Sequence, residues 1–445
     1  MKTFSEMRKT IAHALLASFI AAAVPAVSVA QTAGKYQPSA ENLEAREHFQ
    51  DNKFGIFLHW GLYSMLAAGE WVMNNNNINY REYAKLAGGF YPSRFNAHDW
   101  VAAIKASGAR YICFTSRHHE GFSMFHTRYS DYNIVDATPF KRDIVKELAD
   151  ECHRQGIDIH FYYSHIDWQR EDAPVGRTGQ GTGRPKETQN WTSYYEFMNN
   201  QLTELLTNYG KIGAIWFDGW WDQEQNPAFD WQLPRQYALI HRLQPACLIG
   251  NNHHKAPFDG EDFQMFERDL PGENTAGFSG QEISRLPLET CETMNGMWGY
   301  QITDQNYKSA TTLIHYLVKA AGRNANLLLN IGPQPDGCLP AAALERLGEI
   351  GKWMQTYGET IYGTRGGFVA PHDWGATTQK GNRLFVHILN LKDSTLFVPT
   401  GDKRIKKAVD FLTRKPVKMK KREGGIVLLL NAVPAETDYV VELQM

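Results

Sequence analysis

The chain contains little cysteine, no marked excess of charge of either sign, and no long apolar run after its first thirty residues. Its five cysteines lie far apart and form no C-x-x-C pair, so neither a zinc site nor a disulfide framework is indicated, although a single disulfide stays open. The 46 basic and 48 acidic residues give a formal net charge of −2, which disfavours a nucleic-acid partner. No later segment is apolar over enough residues to span a bilayer.

The first thirty residues have the pattern of a secretory signal peptide. Three basic residues precede the apolar run IAHALLASFIAAAVPAV, and the small residues SVA stand just before Gln31. We predict that residues 1–30 are removed and that the mature protein is soluble and exported, to the periplasm or the outside of a bacterium. Because this segment carries three basic side chains and one acidic side chain, its removal changes the formal net charge from −2 to about −4.

The remaining residues have the composition of a globular α/β protein. Of the 445 residues, 43% are hydrophobic and 21% are charged, and this length allows two or three domains. From about residue 50, strand-like and helix-like segments alternate, which predicts a parallel sheet with helices outside it. The predicted strands are KFGIFLHWG, RYICFTSRHHEGF, IDIHFYYSHIDW, IGAIWFDG, CLIGNN and NLLLNIGP.

The positions of polar residues favour a closed barrel over an open sheet. In a barrel the C-terminal ends of the strands converge on one mouth, where barrel enzymes carry out their chemistry. An open dinucleotide-binding sheet would have G-x-G-x-x-G after its first strand, and this chain has none. We therefore predict a (β/α)8-like TIM barrel over residues 31–364. The polar residues at or just past the ends of five predicted strands are His59, His118, His119, Asp167, Asp218, Asn251 and Asn252.

Residues 365–445 differ in character from the rest. Their segments are short, alternate between apolar and polar residues, and are bounded by turns, which predicts a small C-terminal antiparallel β-sandwich. The stretch from Lys403 to Arg422 is rich in lysine and arginine. An anionic partner would explain it, but we favour a solvated sheet edge protected by lysine.

Asp218 is the first candidate catalytic residue. The stretch IGAIWFDGWW indicates a buried strand that ends in this acid among tryptophans, with Trp216 on the same face two residues earlier. Hydrolysis of a glycosidic bond needs one ionised carboxyl group and one protonated one, and a carboxylate fixed by a strand in an aromatic pocket suits the first role. The alternative is that Asp218 caps the following segment or pairs with an arginine.

The pair His118 and His119 is the second candidate feature. Neutral imidazoles both donate and accept hydrogen bonds, so two of them at a pocket mouth could bind two sugar hydroxyls. His59 and Glu70 belong to the same group of candidates. A metal site formed by His59, His118, His119 and Asp218 is the rival interpretation. It is weakened because metal-dependent barrel hydrolases usually carry H-x-H on the first strand, and here Trp60 follows His59 directly.

Several motifs together resemble the α-L-fucosidases of glycoside hydrolase family 29. The resemblance covers about residues 45–365, and its motifs occur in the family's order and spacing. It implies a retaining exo-enzyme with a (β/α) barrel and a C-terminal β-sandwich. The motifs are FGIFLHWGLYS, EW, HHEGF, YNIVDATPFKRDIVKELADECHRQGIDIHFYYSHIDW, IWFDGWW, MWGY and NLLLNIGPQPDG.

The resemblance also implies roles for individual residues. Asp218 falls on the family nucleophile, and DFQMFE resembles the segment that carries the acid/base, which makes Glu267 the preferred candidate. Asp262 and Glu261 are close rivals, and Glu289 is a weaker one. The family's sugar-binding arginine after the fifth strand is not evident, because GNNHHK stands there. The residues that fall on fucose-binding or pocket-wall positions are His59, Glu70, Trp71, His118, His119, Tyr162, Trp216 and Trp298.

The predicted function is removal of terminal α-L-fucose from a fucosylated oligosaccharide or glycoconjugate, with retention of configuration and with no metal or organic cofactor. A metal-dependent barrel hydrolase and a catalytically silent sugar-binding protein on the same fold are the alternatives. Transfer of fucose to another sugar would use the same residues. The polar, Gly-rich segment from Arg170 to Trp191 could shape the region beyond the first sugar.

Overall fold

Eight parallel strands form the centre of the structure, a computed structural model that describes residues 35–431 and 437–445. The predicted signal peptide lies outside the described residues. Almost every strand residue is buried, as expected for strands covered on both faces. The strands are β1 (Phe54–Leu58), β2 (Tyr111–Arg117), β3 (Asp158–Ser164), β4 (Ala214–Asp218), β5 (Leu248–Asn252), β6 (Gln264–Glu267), β7 (Leu288–Thr293) and β8 (Ala325–Ile331).

The eight strands curve into a nearly closed barrel. Their order is β5-β4-β3-β2-β1-β8-β7-β6, and Leu58 of β1 pairs with Phe114 of β2 on one side and with Ile331 of β8 on the other. The edge strands β5 and β6 do not pair as a ladder, but the Asp262 backbone N–H, just before β6, donates to the Ile249 carbonyl oxygen at 2.7 Å. The predicted TIM barrel is confirmed, and β6 and β7 are the two strands that the sequence pattern did not reveal.

Helices surround most of the barrel, but not all of it. After β5 and after β6, residues 253–263 and 268–287 contain no helix, so the (β/α)8 alternation is incomplete. Short 3₁₀ turns lie at Lys85–Gly89, Gln180–Thr182, Trp220–Gln223 and Gly358–Thr360. The α-helices are α1 (Ala40–Asn52), α2 (Tyr63–Leu66), α3 (Val72–Asn75), α4 (Tyr80–Ala84), α5 (Ala97–Ala106), α6 (Ile144–Gln155), α7 (Trp191–Asn208), α8 (Leu233–Leu243), α9 (Ala310–Gly322) and α10 (Ala341–Tyr357).

Helix α6 shows how local sequence produces these outer helices. The Asp143 side chain accepts a hydrogen bond from the Lys146 backbone N–H at 2.9 Å, which caps the first turn. Gly156 ends the helix with φ +71, a left-handed conformation that glycine adopts without strain. Apolar side chains recur along one face, which packs on the barrel: Ile144, Val145, Leu148, Ala149 and Cys152.

The C-terminal part is an antiparallel two-sheet sandwich, as predicted. Its five-stranded sheet has the order β13-β16-β11-β10-β9, and its three-stranded sheet has the order β12-β15-β14. The sequence pattern predicted five of these eight strands, and the three that it did not reveal are β9, β10 and β14. The strands are β9 (Arg365–Gly366), β10 (Gly375–Lys380), β11 (Arg383–Ile388), β12 (Thr395–Val398), β13 (Lys407–Asp410), β14 (Lys418–Arg422), β15 (Gly425–Leu429) and β16 (Tyr439–Gln444).

Two details of the sandwich follow from its position. Strand β14 is the edge of the three-stranded sheet and its side chains are mostly exposed, so much of the basic stretch is a solvated edge. The five-stranded sheet packs on α9 so closely that a Cβ atom at Gly322 would lie 2.7 Å from the Cβ of Ala376. Residues 37–445 accordingly form one compact unit.

Two sequence expectations concern disulfides and membrane spans. All five cysteines lie in the described part of the chain and none is in a disulfide. None of the described helices combines the length and the apolar character that crossing a bilayer requires.

A buried ion pair between Arg117 and Asp167 joins the ends of β2 and β3, and both side chains are fully buried. Arg117 also donates to the Ser164 carbonyl oxygen at 3.0 Å. Removing one member leaves the other charge uncompensated, so we expect Asp167→Asn to lower the free energy of unfolding by about 3–5 kcal/mol. Urea denaturation of the variant and of the unaltered protein measures this change in the free energy of unfolding.

The surface pair Arg142–Glu147 provides the control, since its side chains are 42% and 35% exposed. Glu147→Gln should cost less than about 1 kcal/mol. Equal losses of unfolding free energy in the two variants would contradict the larger contribution expected of the buried pair.

Candidate active site

The side chains that point into the barrel form two layers, an apolar layer and a polar layer above it at the C-terminal ends of the strands. Side chains two residues apart on a strand point the same way, so Trp216 and Asp218 of β4 both point into the barrel. Neighbouring strands pair in register, with Ser164, Asp218 and Asn252 side by side at the C-terminal ends of β3, β4 and β5. The layer below is apolar and aromatic: Phe57, Cys113, Tyr162, Trp216, Met265, Cys291 and Leu328.

A cavity of about 580 Å³ opens at this mouth, a volume within the usual range for small-molecule sites. All ten predicted site residues line it: His59, Glu70, Trp71, His118, His119, Tyr162, Trp216, Asp218, Glu267 and Trp298. They come from β3, β4 and β6 and from the segments that follow β1, β2 and β7. The tertiary structure therefore brings together residues that are up to 239 positions apart in the sequence.

Asp218 is held by three hydrogen-bond donors. Its Oδ1 accepts from the Gly219 backbone N–H at 2.7 Å and from the Trp221 indole at 3.0 Å, and its Oδ2 accepts from the Tyr162 hydroxyl at 3.0 Å. Burial, followed by the negative charge of Glu267, raises the pKa of Asp218 to about 6. The structure thus fixes the carboxylate in the pocket. Among the described residues no arginine forms an ion pair with it, and the 3₁₀ turn that follows has Gly219 as its N-cap and no side-chain cap.

The three histidines of the pocket are buried and neutral. Burial lowers the pKa of His59 to about 3 and that of His119 to about 3, and it lowers the pKa of His118 far below the ordinary value. Neighbouring polar groups orient two of the rings: His59 Nδ1 lies 2.6 Å from the Asn330 side-chain oxygen, and His119 Nδ1 lies 2.6 Å from the Ser164 hydroxyl. His119 Nε2 is 3.6 Å from Asp218 Oδ2.

His118 differs from the other two rings because its Nδ1 is buried without a hydrogen-bond partner among the described residues. Its ring stacks on Tyr162, with centroids 5.3 Å apart. A buried nitrogen that lacks a partner costs free energy, so stacking rather than a hydrogen bond at Nδ1 orients this ring.

Glu70 and two tryptophans form the rest of the wall. Glu70 Oε2 accepts from the Gly299 backbone N–H at 2.8 Å, and burial raises the pKa of this carboxyl group. The Trp71 ring stands edge-on to His119 at 5.6 Å, and the Trp298 ring lies 5.2 Å from His59. Apolar faces beside directed hydrogen-bonding groups are the usual composition of a site that orients a small polar ligand.

Glu267 is the only one of the four acid/base candidates that lines the cavity. Its Oε2 accepts from Asn252 Nδ2 at 2.9 Å and lies 3.1 Å from His254 Nε2. Burial would raise the pKa of Glu267, but the hydrogen bond and charge of His254 and then the Asn252 hydrogen bond outweigh burial and lower it.

The other three candidates are occupied elsewhere. Asp262 is buried between Arg46, at 2.6 Å, and His241, at 2.8 Å. Glu261 accepts from the Tyr237 hydroxyl at 2.9 Å and contacts His253. Each of the two carboxylates is therefore committed to a structural contact away from the cavity.

Glu289 lies inside the barrel, below the cavity. The Tyr111 hydroxyl donates to it at 2.6 Å and the Trp216 indole donates to it at 2.9 Å. Through the indole it holds the ring that forms the floor beside Asp218.

Sequence reasoning missed several residues around the mouth. Asn252 was noted only as a polar strand end, and His254 stands where the family arginine was sought, yet both hold Glu267. Arg268 has φ +58 and its guanidinium lies 5.1 Å from the centroid of the Trp298 ring. Arg177, in the Gly-rich loop, lies 4.9 Å from the centroid of Trp221 and lines the cavity. Loop residues follow no periodic pattern, so no signal in the sequence indicates their position.

The positions of the possible metal ligands bear on the metal hypothesis. Among the described residues no group of three or more His, Cys, Asp or Glu side chains is arranged to hold a metal ion. His59 and His119 point their Nδ1 atoms at Asn330 and Ser164 instead.

Comparison with known proteins identifies the family. The sequence profile of the α-L-fucosidases matches residues 23–359. The plasma α-L-fucosidases of Rattus norvegicus and Homo sapiens are each 30% identical to this chain, over 405 and 407 residues, covering 82% of it and 82% and 80% of their own lengths. This chain belongs to the α-L-fucosidase family, glycoside hydrolase family 29.

Solved α-L-fucosidase structures have the same fold. Isoenzyme 1 from Paenibacillus thiaminolyticus is 32% identical, with a TM-score of 0.81 over 91% of this chain and 99% of its own. A family 29 α-L-fucosidase from Bacteroides thetaiotaomicron, solved as a trapped covalent intermediate with 2-fluoro-fucosyl fluoride, is 26% identical, with a TM-score of 0.80 over 93% and 98%. The predicted family, fold class and α-L-fucosidase activity are confirmed.

The buried acid Glu289 should make stability depend on pH. Burial raises its pKa to about 7, above the ordinary value of 4.5. The folded α-L-fucosidase therefore holds this proton more tightly than the unfolded chain, so the resulting stabilisation is complete below pH 4.5 and is lost as pH rises through about 7.

We expect Glu289→Gln to reduce the fall in Tm between about pH 5 and about pH 8.5. Part of the fall should remain, because burial also raises the pKa of Glu120 to about 8. The exposed Glu345 provides the control, and Glu345→Gln should leave the slope unchanged. An unaltered slope in Glu289→Gln would contradict this assignment.

Proposed function

We propose that the protein is a retaining exo-α-L-fucosidase that hydrolyses terminal α-L-fucose from fucosylated oligosaccharides or glycoconjugates. The observation that carries the proposal is the placement of Asp218 and Glu267 on one cavity, each held by named hydrogen-bond donors. Asp218 attacks the anomeric carbon while Glu267 protonates the departing oxygen, and a fucosyl ester forms on Asp218. Glu267 then removes a proton from water, which cleaves the ester and releases fucose.

The electrostatics of the pair fit the second step in particular. Attack requires ionised Asp218 with protonated Glu267, whereas the negative charge of each carboxylate favours a proton on the other, so the two titrate as a coupled pair. Forming the ester removes the charge of Asp218. Glu267 then becomes more acidic and stays ionised beside His254, which is the state that a general base needs. For retention the two carboxyl groups should lie about 5–5.5 Å apart.

Binding of the fucosyl unit would use the neutral groups of the pocket. His59, His118 and His119 are uncharged, so each ring has one donor and one acceptor. Because Nδ1 of His59 and of His119 already contacts a neighbouring side chain, the Nε2 atoms of these two rings would face the sugar hydroxyls. The raised pKa of Glu70 is compatible with a carboxyl group that faces a hydroxyl in a dry site. The aromatic rings of Trp71 and Trp298 would pack on the apolar parts of the sugar.

We also propose that the protein is exported, to the periplasm or outside the cell. The support is the basic start, the apolar run and the SVA site in residues 1–30. N-terminal sequencing of the protein recovered from the periplasmic fraction and the medium tests it. A product that still begins at Met1 in the cytoplasmic fraction would contradict it.

Asp218→Asn should reduce hydrolysis of a chromogenic α-L-fucoside by about 10³-fold or more, because an amide is too weak a nucleophile to form the ester. Calorimetry should still show fucose binding. This combination would separate an enzyme from a silent sugar-binding protein.

NMR of the first product formed by the unaltered enzyme should show the α-anomer, and initial formation of the β-anomer would contradict retention. Product analysis with an added acceptor sugar distinguishes hydrolysis from transfer.

Glu267→Gln should abolish activity on substrates with poor leaving groups and largely spare formation of the fucosyl-enzyme from α-L-fucosyl fluoride, whose departure needs no acid. Since the charge of Glu267 raises the pKa of Asp218, the acidic limb of this step should move to lower pH in the variant.

The matched control is Glu289→Gln, a change of the same kind at a rejected acid/base candidate. Glu289→Gln should keep both classes of substrate, measured at about pH 6, where this carboxyl is largely protonated in the unaltered protein. If it showed the leaving-group dependence and Glu267→Gln did not, the acid/base assignment would be wrong.

A further inference from the structure

A second cavity of about 420 Å³ lies beside the active-site cavity and has no role in the proposed reaction. It is formed by the 3₁₀ turn after β4, the residues that lead into α8, and the helix-free segment after β5. Its lining combines aromatic side chains, among them Trp220 and Phe258, with carboxylates and amides.

The two cavities border one another at Glu224, which lines both. Lys255, which lines the active-site cavity, forms an ion pair with Glu224, and these side chains are 47% and 38% exposed. The solvent-exposed pair therefore lies at the border between the two cavities. A linear ligand that left the active site along this side would pass over this ion pair and enter the second cavity.

The 3₁₀ turn places adjacent tryptophans in different cavities. The Trp221 indole donates to Asp218 and lines the active site. The Trp220 ring lies on the other side, where it meets Phe258 at 5.4 Å and His253 at 6.0 Å. Trp220 is therefore directed away from the fucose site although it is two residues from the proposed nucleophile.

Not all of the aromatic rings are available to a ligand. Trp231 is a buried core residue, and Phe229 and Trp231 both pack on Trp191, with ring centroids 4.8 Å and 5.5 Å from it, so these rings are engaged with one another. Trp220 and Phe258 are only partly buried, and they present apolar faces at the cavity wall. Two adjacent apolar rings with hydrogen-bonding groups at their border suit a flat, hydroxyl-rich ligand such as a sugar ring.

The charges at the cavity favour a neutral ligand over an anionic one. Glu224, Asp230 and Asp259 line it with no lysine or arginine among its lining residues. Carboxylates accept hydrogen bonds from hydroxyl groups but repel another carboxylate or a sulfate ester. The amides of Gln223 and Asn226 add both donors and acceptors.

We propose that this second cavity binds the saccharide chain to which the terminal fucose is attached, so that the preferred substrate is a neutral oligosaccharide of several sugar units. The proposal rests on the proposed fucosidase function and adds a distal binding site to it. The continuity of the two cavities at Glu224 and the exposed faces of Trp220 and Phe258 carry it. Chains with acidic sugars or sulfate esters in the distal region are expected to be poor substrates.

The test compares kcat/KM for an aryl α-L-fucoside with kcat/KM for neutral fucosylated oligosaccharides of increasing length. In the unaltered protein, kcat/KM should increase once the chain is long enough to reach the second cavity. Phe258→Ala should lower kcat/KM for the long substrates about tenfold, mainly through KM, and change that for the aryl fucoside less than twofold. Phe258→Tyr keeps the aromatic face and should retain the preference for length.

Two further variants guard against effects on folding. Trp220→Ala, at the ring adjacent to Phe258, should reproduce the selective loss. Trp374→Ala, which removes a partly buried tryptophan of the sandwich, should change neither class of substrate. The proposal would be overturned if the unaltered protein had equal kcat/KM for short and long substrates. It would also be overturned if Phe258→Ala and Trp220→Ala lowered kcat/KM equally for both classes. Failure of the unaltered protein to hydrolyse the aryl fucoside would instead contradict the proposed function.

Discussion

The structure of the site depends on the burial of one carboxylate, Asp218, at the C-terminal end of β4. Burying a charged group is costly unless hydrogen bonds compensate it, and here a backbone N–H, an indole and a phenol hydroxyl do so. Each donor is itself fixed, since Tyr162 belongs to β3, Gly219 follows β4 directly and Trp221 lies on the 3₁₀ turn. The carboxylate is therefore oriented before any substrate arrives, which is the preorganisation that covalent catalysis needs.

Burial also determines the charge of the surrounding groups. Desolvation keeps three histidines neutral, so the pocket holds uncharged imidazoles around its carboxyl groups. Burial and the charge of Glu267 raise the pKa of both Asp218 and Glu70, whereas the His254 contact favours the ionised form of Glu267. This difference between Asp218 and Glu267 allows them to have different roles in one cavity.

The departures from a regular barrel lie beside the two cavities. The segments after β5 and β6 have no helix, and β5 and β6 do not pair as a ladder. These irregular segments supply His254 beside Glu267, Phe278 at the cavity rim and Phe258 in the second cavity. The proposed nucleophile lies on a regular strand, while residues of the loops at the C-terminal ends of the strands form much of the cavity wall, the usual arrangement in a barrel enzyme.

The sequence by itself determined the barrel and the sandwich, because buried strands have a strong period, and it indicated His59, the His118–His119 pair and Asp218, because polar strand ends share one edge. The resemblance to the family added most of the remaining residues of the proposed site. The strand pattern did not reveal β6 and β7, which carry polar residues such as Glu289 inside the barrel. Only the tertiary structure separated Glu267 from Asp262, Glu261 and Glu289, since all four are acids in similar local sequence. Their burial, partners and distance from the cavity arise from contacts between segments far apart in the chain, and no local pattern encodes such contacts.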